Sequence, residues 1–208
     1  MTRTGLILAG GSSSRFGEPK SLVPFDGRPM VQWVADTLRS RCDEILLSIR
    51  AADAVRAFQE AVPGAHLVRD AVADRGPIEG LGRGLAAAQG EVVLVAPCDA
   101  PLLRPSLYDA LLALLGDHEA AVPWHQAMDP VRAVYRREAA LQALGGAGIG
   151  SPSALVDRLD AVFLEGEALR AADSALVSFV DVNRKEDLEP AERLARPGVA
   201  VAAGRRRY

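Results

Sequence analysis

Three short apolar runs set the frame for this chain: "GLILA" at Gly5–Ala9, "ILLSI" at Ile45–Ile49 and "EVVLVA" at Glu91–Ala96. Each is strand length and nearly continuous in its hydrophobicity, the pattern of a strand buried on both faces. The segments between them have helical spacing. Pro29–Leu38 puts Met30, Trp33, Val34, Thr37 and Leu38 on one face behind an N-terminal proline. Asp53–Ala61 reads as a helix stopped by Pro63–Gly64, and Leu67–Arg69 as a short strand. Ile78–Gln89 reads as a helix despite its glycines, and Pro105–Leu115 as a strong one. Strand and helix in alternation predict an α/β fold with a mostly parallel sheet covered on both faces.

The second half is less regular. Ala120–Pro123, Val131–Tyr135 and Phe179–Val182 read as strands, and Glu138–Leu144 and Lys185–Leu194 as helices. "GGAGIGSPS", Gly145–Ser153, is long and glycine-rich enough to suggest a mobile substrate loop. With 208 residues, 49% hydrophobic and 25% charged, the chain suits one α/β domain with a full core.

In a parallel sheet, ligands bind beyond the carboxyl ends of the strands. The loops that should gather there read "GGSSSRFGEPK", "DAVADRGP" and "PCDAP". In the first, Gly10 and Gly11 let backbone N–H groups approach an anion, and Arg15 and Lys20 add charge. That is a cradle for a triphosphate. It is neither a Walker A loop, since Gly17 is followed by Glu18, nor a GxGxxG loop. Arginine outnumbers lysine 22 to 2, which singles out Lys20 and Lys185. A compact ammonium on phosphate is a place where arginine is not equivalent.

Asp99 ends the clearest buried strand, between Pro97 and Pro101. A carboxylate there suits Mg²⁺, which takes one or two protein carboxylates plus phosphate oxygens. "FVDVN" puts Asp181 and Asn183 on one face of an extended segment, where they could complete a metal site opposite Asp99 or cap the next helix. His66, His118 and His125 show no ligand spacing, and Trp124 reads as a core aromatic or a wall of an acceptor pocket.

The net charge of −3 argues against a general nucleic-acid or anionic-membrane binder. Two cysteines, Cys42 and Cys98, without metal-ligand spacing read as reduced thiols. With no leader pattern and no apolar window near the roughly 18 residues of a membrane helix, the chain reads as cytoplasmic.

Taken together, these motifs resemble a known family. "LAGGSSSRFGEPKSLVPFDGRPMVQWV" is similar to the signature loop of nucleotidyltransferases. "RDAVADRGPIEGL", "PCDAPLL", "DPVRAVYRR" and "FVDVNRKEDL" follow in the order seen in molybdenum cofactor guanylyltransferases. The resemblance covers about residues 5–195. It implies a single Rossmann-like three-layer α/β domain of the nucleotidyltransferase, GT-A-like kind. Residues 1–195 would form it, about 1–104 as a nucleotide-binding half and about 105–195 as an acceptor half, with 196–208 a flexible tail.

The activity implied is transfer of GMP from GTP to the phosphate of molybdenum-loaded molybdopterin, with Mg²⁺ as cofactor. The product would pass to molybdoenzymes or their chaperones through transient contacts. By position, the resemblance implies that Leu8, Ala9, Gly10 and Gly11 contact the nucleotide and Lys20 its phosphates. It puts Asp70 near the guanosine, Asp99 on Mg²⁺, and Asp181 and Asn183 near the acceptor and metal. Arg15, Lys20 and Asp99 would be the catalytic group.

The family pair is usually two asparagines, so Asp181 adds a carboxylate. The family often has an asparagine at the end of the second strand, where this chain has Leu47 or Ser48, and a histidine where it has Asp129. "LAGG" resembles the guanylyl-using branch, and Glu79 is a candidate acceptor for guanine N–H groups or a plain helix-start carboxylate. The competing readings are a related enzyme using CTP or another phosphorylated acceptor, a nucleotide-sugar glycosyltransferase, and a non-catalytic nucleotide-binding module.

Overall fold

The second and third apolar runs become the two neighbours of the first. In the computed structural model, which describes residues 1–10, 19–70, 76–146 and 148–196, β1 (Arg3–Leu8) lies between β4 (Glu44–Ile49) and β6 (Val92–Pro97), parallel to both. A two-residue hairpin, β2 (Pro24–Phe25) and β3 (Arg28–Pro29), and helix α1 (Met30–Arg39) connect β1 to β4. Helix α2 (Val55–Ala61) leads to β5 (His66–Arg69), parallel to β4. Helix α3 (Pro77–Ala87) leads back to β6, and α4 (Pro105–Leu115) onward to β7 (Ala120–His125).

The rest of the sheet is built from β7, the short β8 (Ala127–Met128), β9 (Val134–Arg136) and β10 (Ala161–Leu164). The main path runs β10-β7-β9-β6-β1-β4-β5, with β8 paired to β7. Only β9 and β8 run antiparallel to their neighbours among these strands, so the sheet is mostly parallel. Helices α5 (Arg137–Leu144), α6 (Pro152–Val156), α7 (Gly166–Ala172) and α8 (Leu188–Ala195) complete the described chain.

The alternation of side chains on each strand makes the layers. Ile7, Leu94 and Ala96 face the cluster that contains Val34 and Leu38 of α1 and Leu107 and Leu111 of α4. Leu6, Val93 and Val95 face the other, with Leu81 and Leu85 of α3, Ala140 of α5 and Leu155 of α6. A third, smaller cluster joins Val23, Phe25, Met30, Leu102, Val177, Val182 and Ala191. It ties the hairpin after β1 to the C-terminal helix.

Helix α3 holds glycines that helix propensity disfavours. At Gly84 the reason is space: a Cβ would lie 2.3 Å from Cδ2 and 2.4 Å from Cδ1 of Leu6, which is fully buried. At Gly82 the nearest atom, Leu144 Cδ1, is 3.7 Å away. Alanine gains about 1 kcal/mol over glycine in a helix, whereas overpacking costs about 1–3 kcal/mol. Gly82→Ala is expected to stabilise the protein in urea unfolding and Gly84→Ala to destabilise it by up to about 2 kcal/mol. Equal midpoints for the two variants would contradict this account of the α3–β1 contact.

Several sequence expectations change in detail. Phe179–Val182 does not pair as a strand. Val177–Phe179 form a 3₁₀ turn entered through Leu176 at φ 53°, and Val180 beyond it is extended. Val182 N donates to Asp99 O at 2.9 Å, a contact with a loop and not a ladder. The strand expected at Val131–Tyr135 shortens to Val134–Arg136, because Asp129–Arg132 close a turn. The helix expected at Lys185–Leu194 is split into a 3₁₀ turn over Lys185–Asp187 and α8. Strand β10 and helix α7 carried no strong periodic signal. The β2–β3 hairpin did carry one, Asp26–Gly27, both at positive φ.

Candidate functional site

The parallel strands end together. Leu8 is in register with Ser48 and with Pro97, and Ile49 with Arg69. Backbone pairing continues past the strands: Ala9 N donates to Ser48 O at 2.8 Å, Asp70 N to Ile49 O at 2.9 Å and Cys98 N to Leu8 O at 3.2 Å. The loops after β1, β5 and β6 therefore leave from one edge. A cavity of about 280 Å³ opens there. Leu8, Ala9 and Gly10 line it, as do Lys20, Asp70, Asp99 and Asn183.

One end of the cavity is charged. Lys20 lies in a 3₁₀ turn behind Pro19. Its ammonium donates to Asp99 Oδ2 and, at 2.8 Å, to Asn183 Oδ1. The side chains of Lys20 and Asp99 are 16% and 18% exposed, enclosed but reachable. Three segments far apart in sequence meet at this point. Asp99 does not cap the next helix, since Arg104 holds that position in α4. Asn183 does not cap either: Asp187 accepts from the N–H groups of Asn183 and Arg184 at 2.8 Å each.

The other part of the cavity holds Ser48 and Asp70. Ser48 Oγ donates to Asp70 Oδ1 at 3.0 Å. A Cβ at Gly10 would sit 2.5 Å from Asp70 Oδ2, and one at Gly80 2.5 Å from Ser48 Oγ, so the pair fits only between glycines. Burial pushes the Asp70 carboxyl above its ordinary range, with Glu79 adding to the rise and Ser48 opposing it. Between Leu47 and Ser48, strand parity decides: Leu47 points into the core and Ser48 lines the cavity. Glu79 sits in the first turn of α3, 4.0 Å from Arg83, and does not line the cavity. Cys98 lines the wall, but burial pushes its thiol up, so it stays neutral.

Asp181 is placed differently from Asn183. Its carboxylate accepts from Arg132, which is 4% exposed. Burial pushes the Asp181 carboxyl up to about 6, while the Arg132 charge pulls it down. For Arg132, burial works to lower the pKa, but Asp129 and Asp181 outweigh it and the group stays charged. Asp129 also pairs with Arg132. Arg132 escaped sequence reasoning. The signal was an arginine inside the apolar run "PVRAVY", where only a paired cation is tolerable.

Gly11 and Arg15 lie outside the described residues. The glycine-rich loop after α5 contributes no described residue to the cavity lining. Trp124 is neither core nor cavity wall: it is 40% exposed and meets Phe163 edge-on at 5.5 Å. His118 pairs with Asp160 at 3.0 Å and His125 packs on Phe179 at 5.1 Å. Among the described residues no three His, Cys, Asp or Glu side chains form a metal-holding group, and no helix is long and apolar enough to cross a membrane.

Residues 5–162 match the model of the MobA-like NTP transferase domain. The chain is 33% identical over 207 residues to the molybdenum cofactor guanylyltransferase of Desulfosudis oleivorans, covering 97% of each chain. It is 34% identical to the probable molybdenum cofactor guanylyltransferase of Natronomonas pharaonis, covering 93% of this chain and 98% of that one. Among solved structures, molybdopterin-guanine dinucleotide biosynthesis protein A from Archaeoglobus fulgidus shares the fold at a TM-score of 0.76 and 24% identity, over 92% of this chain and 98% of the other. The 2-C-methyl-D-erythritol 4-phosphate cytidylyltransferase of Thermus thermophilus shares it at 0.69 and 20%, over 94% and 99%. Aligned with such relatives over nearly the full length of both chains, this chain belongs to the MobA-like NTP transferase family.

Proposed function

We infer that this protein transfers the guanylyl group of GTP to the phosphate of molybdenum-loaded molybdopterin and releases pyrophosphate. The observation that carries the reading is the meeting of Lys20, Asp99 and Asn183 at one end of a cavity that has Ser48 and Asp70 elsewhere on its wall. A nucleotide laid along Leu8–Gly10 would put its nucleoside by Ser48–Asp70 and its phosphates by Lys20. On this reading the residues up to about 104 bind the nucleotide and those from about 105 to 195 the acceptor.

In the reaction an oxygen of the acceptor phosphate attacks the α-phosphorus of GTP. The new P–O bond forms as the bond from the α-phosphorus to the bridging oxygen breaks, and that electron pair leaves with pyrophosphate. The acceptor oxygen is already anionic, so no general base is needed. The protein's task is positioning and charge neutralisation. Lys20 neutralises charge that grows on the α-phosphate and the leaving group.

Asp99 fits a magnesium site. It lines the cavity and remains partly exposed, and Mg²⁺ needs only one or two protein carboxylates beside phosphate oxygens. Bound there, Mg²⁺ would supply Lewis-acid stabilisation of phosphate charge. Asp181 fits less well, because Arg132 already holds its carboxylate. The product would pass to molybdoenzymes or their chaperones by transient contact.

The test is pyrophosphate release with Mg²⁺ and the molybdenum-loaded pterin, comparing GTP, CTP, ATP and UTP. Release with GTP alone is the expected result. Release with CTP would keep the chemistry and overturn the base assignment. Tight GTP binding without turnover would point to another phosphorylated acceptor or to a binding module.

A further inference from the structure

We propose that Arg132 is a positioning residue: it holds the segment from Ser178 to Asp181 so that Asn183 reaches Lys20. The proposal rests on the transfer reaction inferred above for its kinetic test, and on a separate physical test for its geometry.

One guanidinium grips three of four consecutive residues. Nε donates to Ser178 O at 2.9 Å, Nη2 donates to Asp181, and the group lies 5.6 Å from the Phe179 ring centre. Nη1 donates to Asp129, in the arginine's own turn. The segment has other ties as well: Ser178 N donates to Asp173 Oδ2 at 2.8 Å, the Phe179 ring packs on His125 and Val182 is buried in the third apolar cluster, while Arg132 is the side chain that holds Asp181. Val182 N donates to Asp99 O, and the Ser178 hydroxyl accepts from Arg104 N at 3.0 Å. Two residues beyond Asp181, Asn183 accepts from Lys20 at 2.8 Å. A displacement at Asp181 is therefore passed to Asn183 and to the ammonium it holds.

The charges make the idea testable. Asp129, Asp181 and Arg132 sum to −1. Asp181→Asn removes one negative charge but keeps an oxygen that accepts from Arg132. Arg132→Met strands two carboxylates around an apolar side chain, which is far worse than replacing both partners. The double variant Arg132→Met with Asp181→Asn relieves one of them without restoring the grip.

Four variants should be compared with wild type: Asp181→Asn, Arg132→Lys, Arg132→Met and the double. Expected for Asp181→Asn is turnover within about 3-fold and an unchanged Mg²⁺ requirement. A Mg²⁺ requirement raised about 10-fold or more would make Asp181 a metal ligand and overturn the assignment. Expected for Arg132→Met is a kcat lower by about 10–100-fold, the scale of a misplaced reacting group, with GTP affinity nearly unchanged. Arg132→Lys should fall between, keeping charge but losing the fork. In the double variant the Tm should recover in part, since Asp129 still lacks its arginine, and kcat should not. Recovery of both together would mean that Arg132 acts on stability alone.

Hydrogen exchange separates this claim from the reaction. In Arg132→Met, amides of residues 178–183 should exchange at least about 10-fold faster while β1 and β6 are unchanged. If wild type transfers nothing to the pterin, the functional reading fails and exchange alone still decides the geometry. Unchanged exchange overturns the proposal whatever the activity.

Discussion

Lys20→Ala is expected to cut pyrophosphate release by about 10²–10³-fold, the scale measured for removing a single preorganised electrostatic donor. The fold should survive. Lys20 lies in a short 3₁₀ turn at the surface edge of the sheet, and its partners Asp99 and Asn183 both line the open cavity, where water can replace it. The loss should therefore appear in turnover, measured at saturating acceptor, with a Tm close to wild type. Lys20→Arg should not rescue it. A planar guanidinium cannot present the same point charge to both Asp99 and Asn183 from that turn. Turnover within a few-fold of wild type in Lys20→Ala would remove this residue from the mechanism.

Asp99→Ala should lose as much, by a different route. Its carboxylate pairs with Lys20 and, on the proposed reading, would also hold Mg²⁺. Two readouts separate the roles. Asp99→Ala should raise the Mg²⁺ concentration needed for half-maximal rate, whereas Lys20→Ala should not. The double variant should be little worse than either single one, because two groups in direct contact lose a shared interaction only once. Strict multiplication of the two losses would show that Lys20 and Asp99 act independently.

Much of the sheet was legible because its signals are local. β1, β4 and β6 are apolar runs with breakers on both sides, and α4 spans the residues that its spacing predicts, Pro105–Leu115. Their order put Lys20 and Asp99 on one edge before any geometry was known. What escaped depends on contacts distant in sequence. Phe179–Val182 has the composition of a strand, and Val182 is fully buried, but the burial comes from Val23, Leu102 and their neighbours and not from a ladder. The choice between Leu47 and Ser48 turns on one-residue parity, which a short strand does not reveal. Asp181 could be seen as a carboxylate near the site. That a buried arginine would claim it could not, because the two are 49 residues apart.

The third apolar cluster couples the two ends of the molecule. Val23, Phe25 and Met30 follow on the turn that carries Lys20, while Val177 and Val182 precede Asn183 and Ala191 lies in α8. Glu192 of α8 reaches across to accept from Asp26 N at 3.0 Å. Any tag, truncation or protease cut that loosens α8 will thus be felt at Lys20 and Asn183, where the proposed reading puts the phosphates, and not beside Ser48 and Asp70. A damaged carboxyl terminus should give an enzyme that still chooses its nucleoside correctly and no longer uses it.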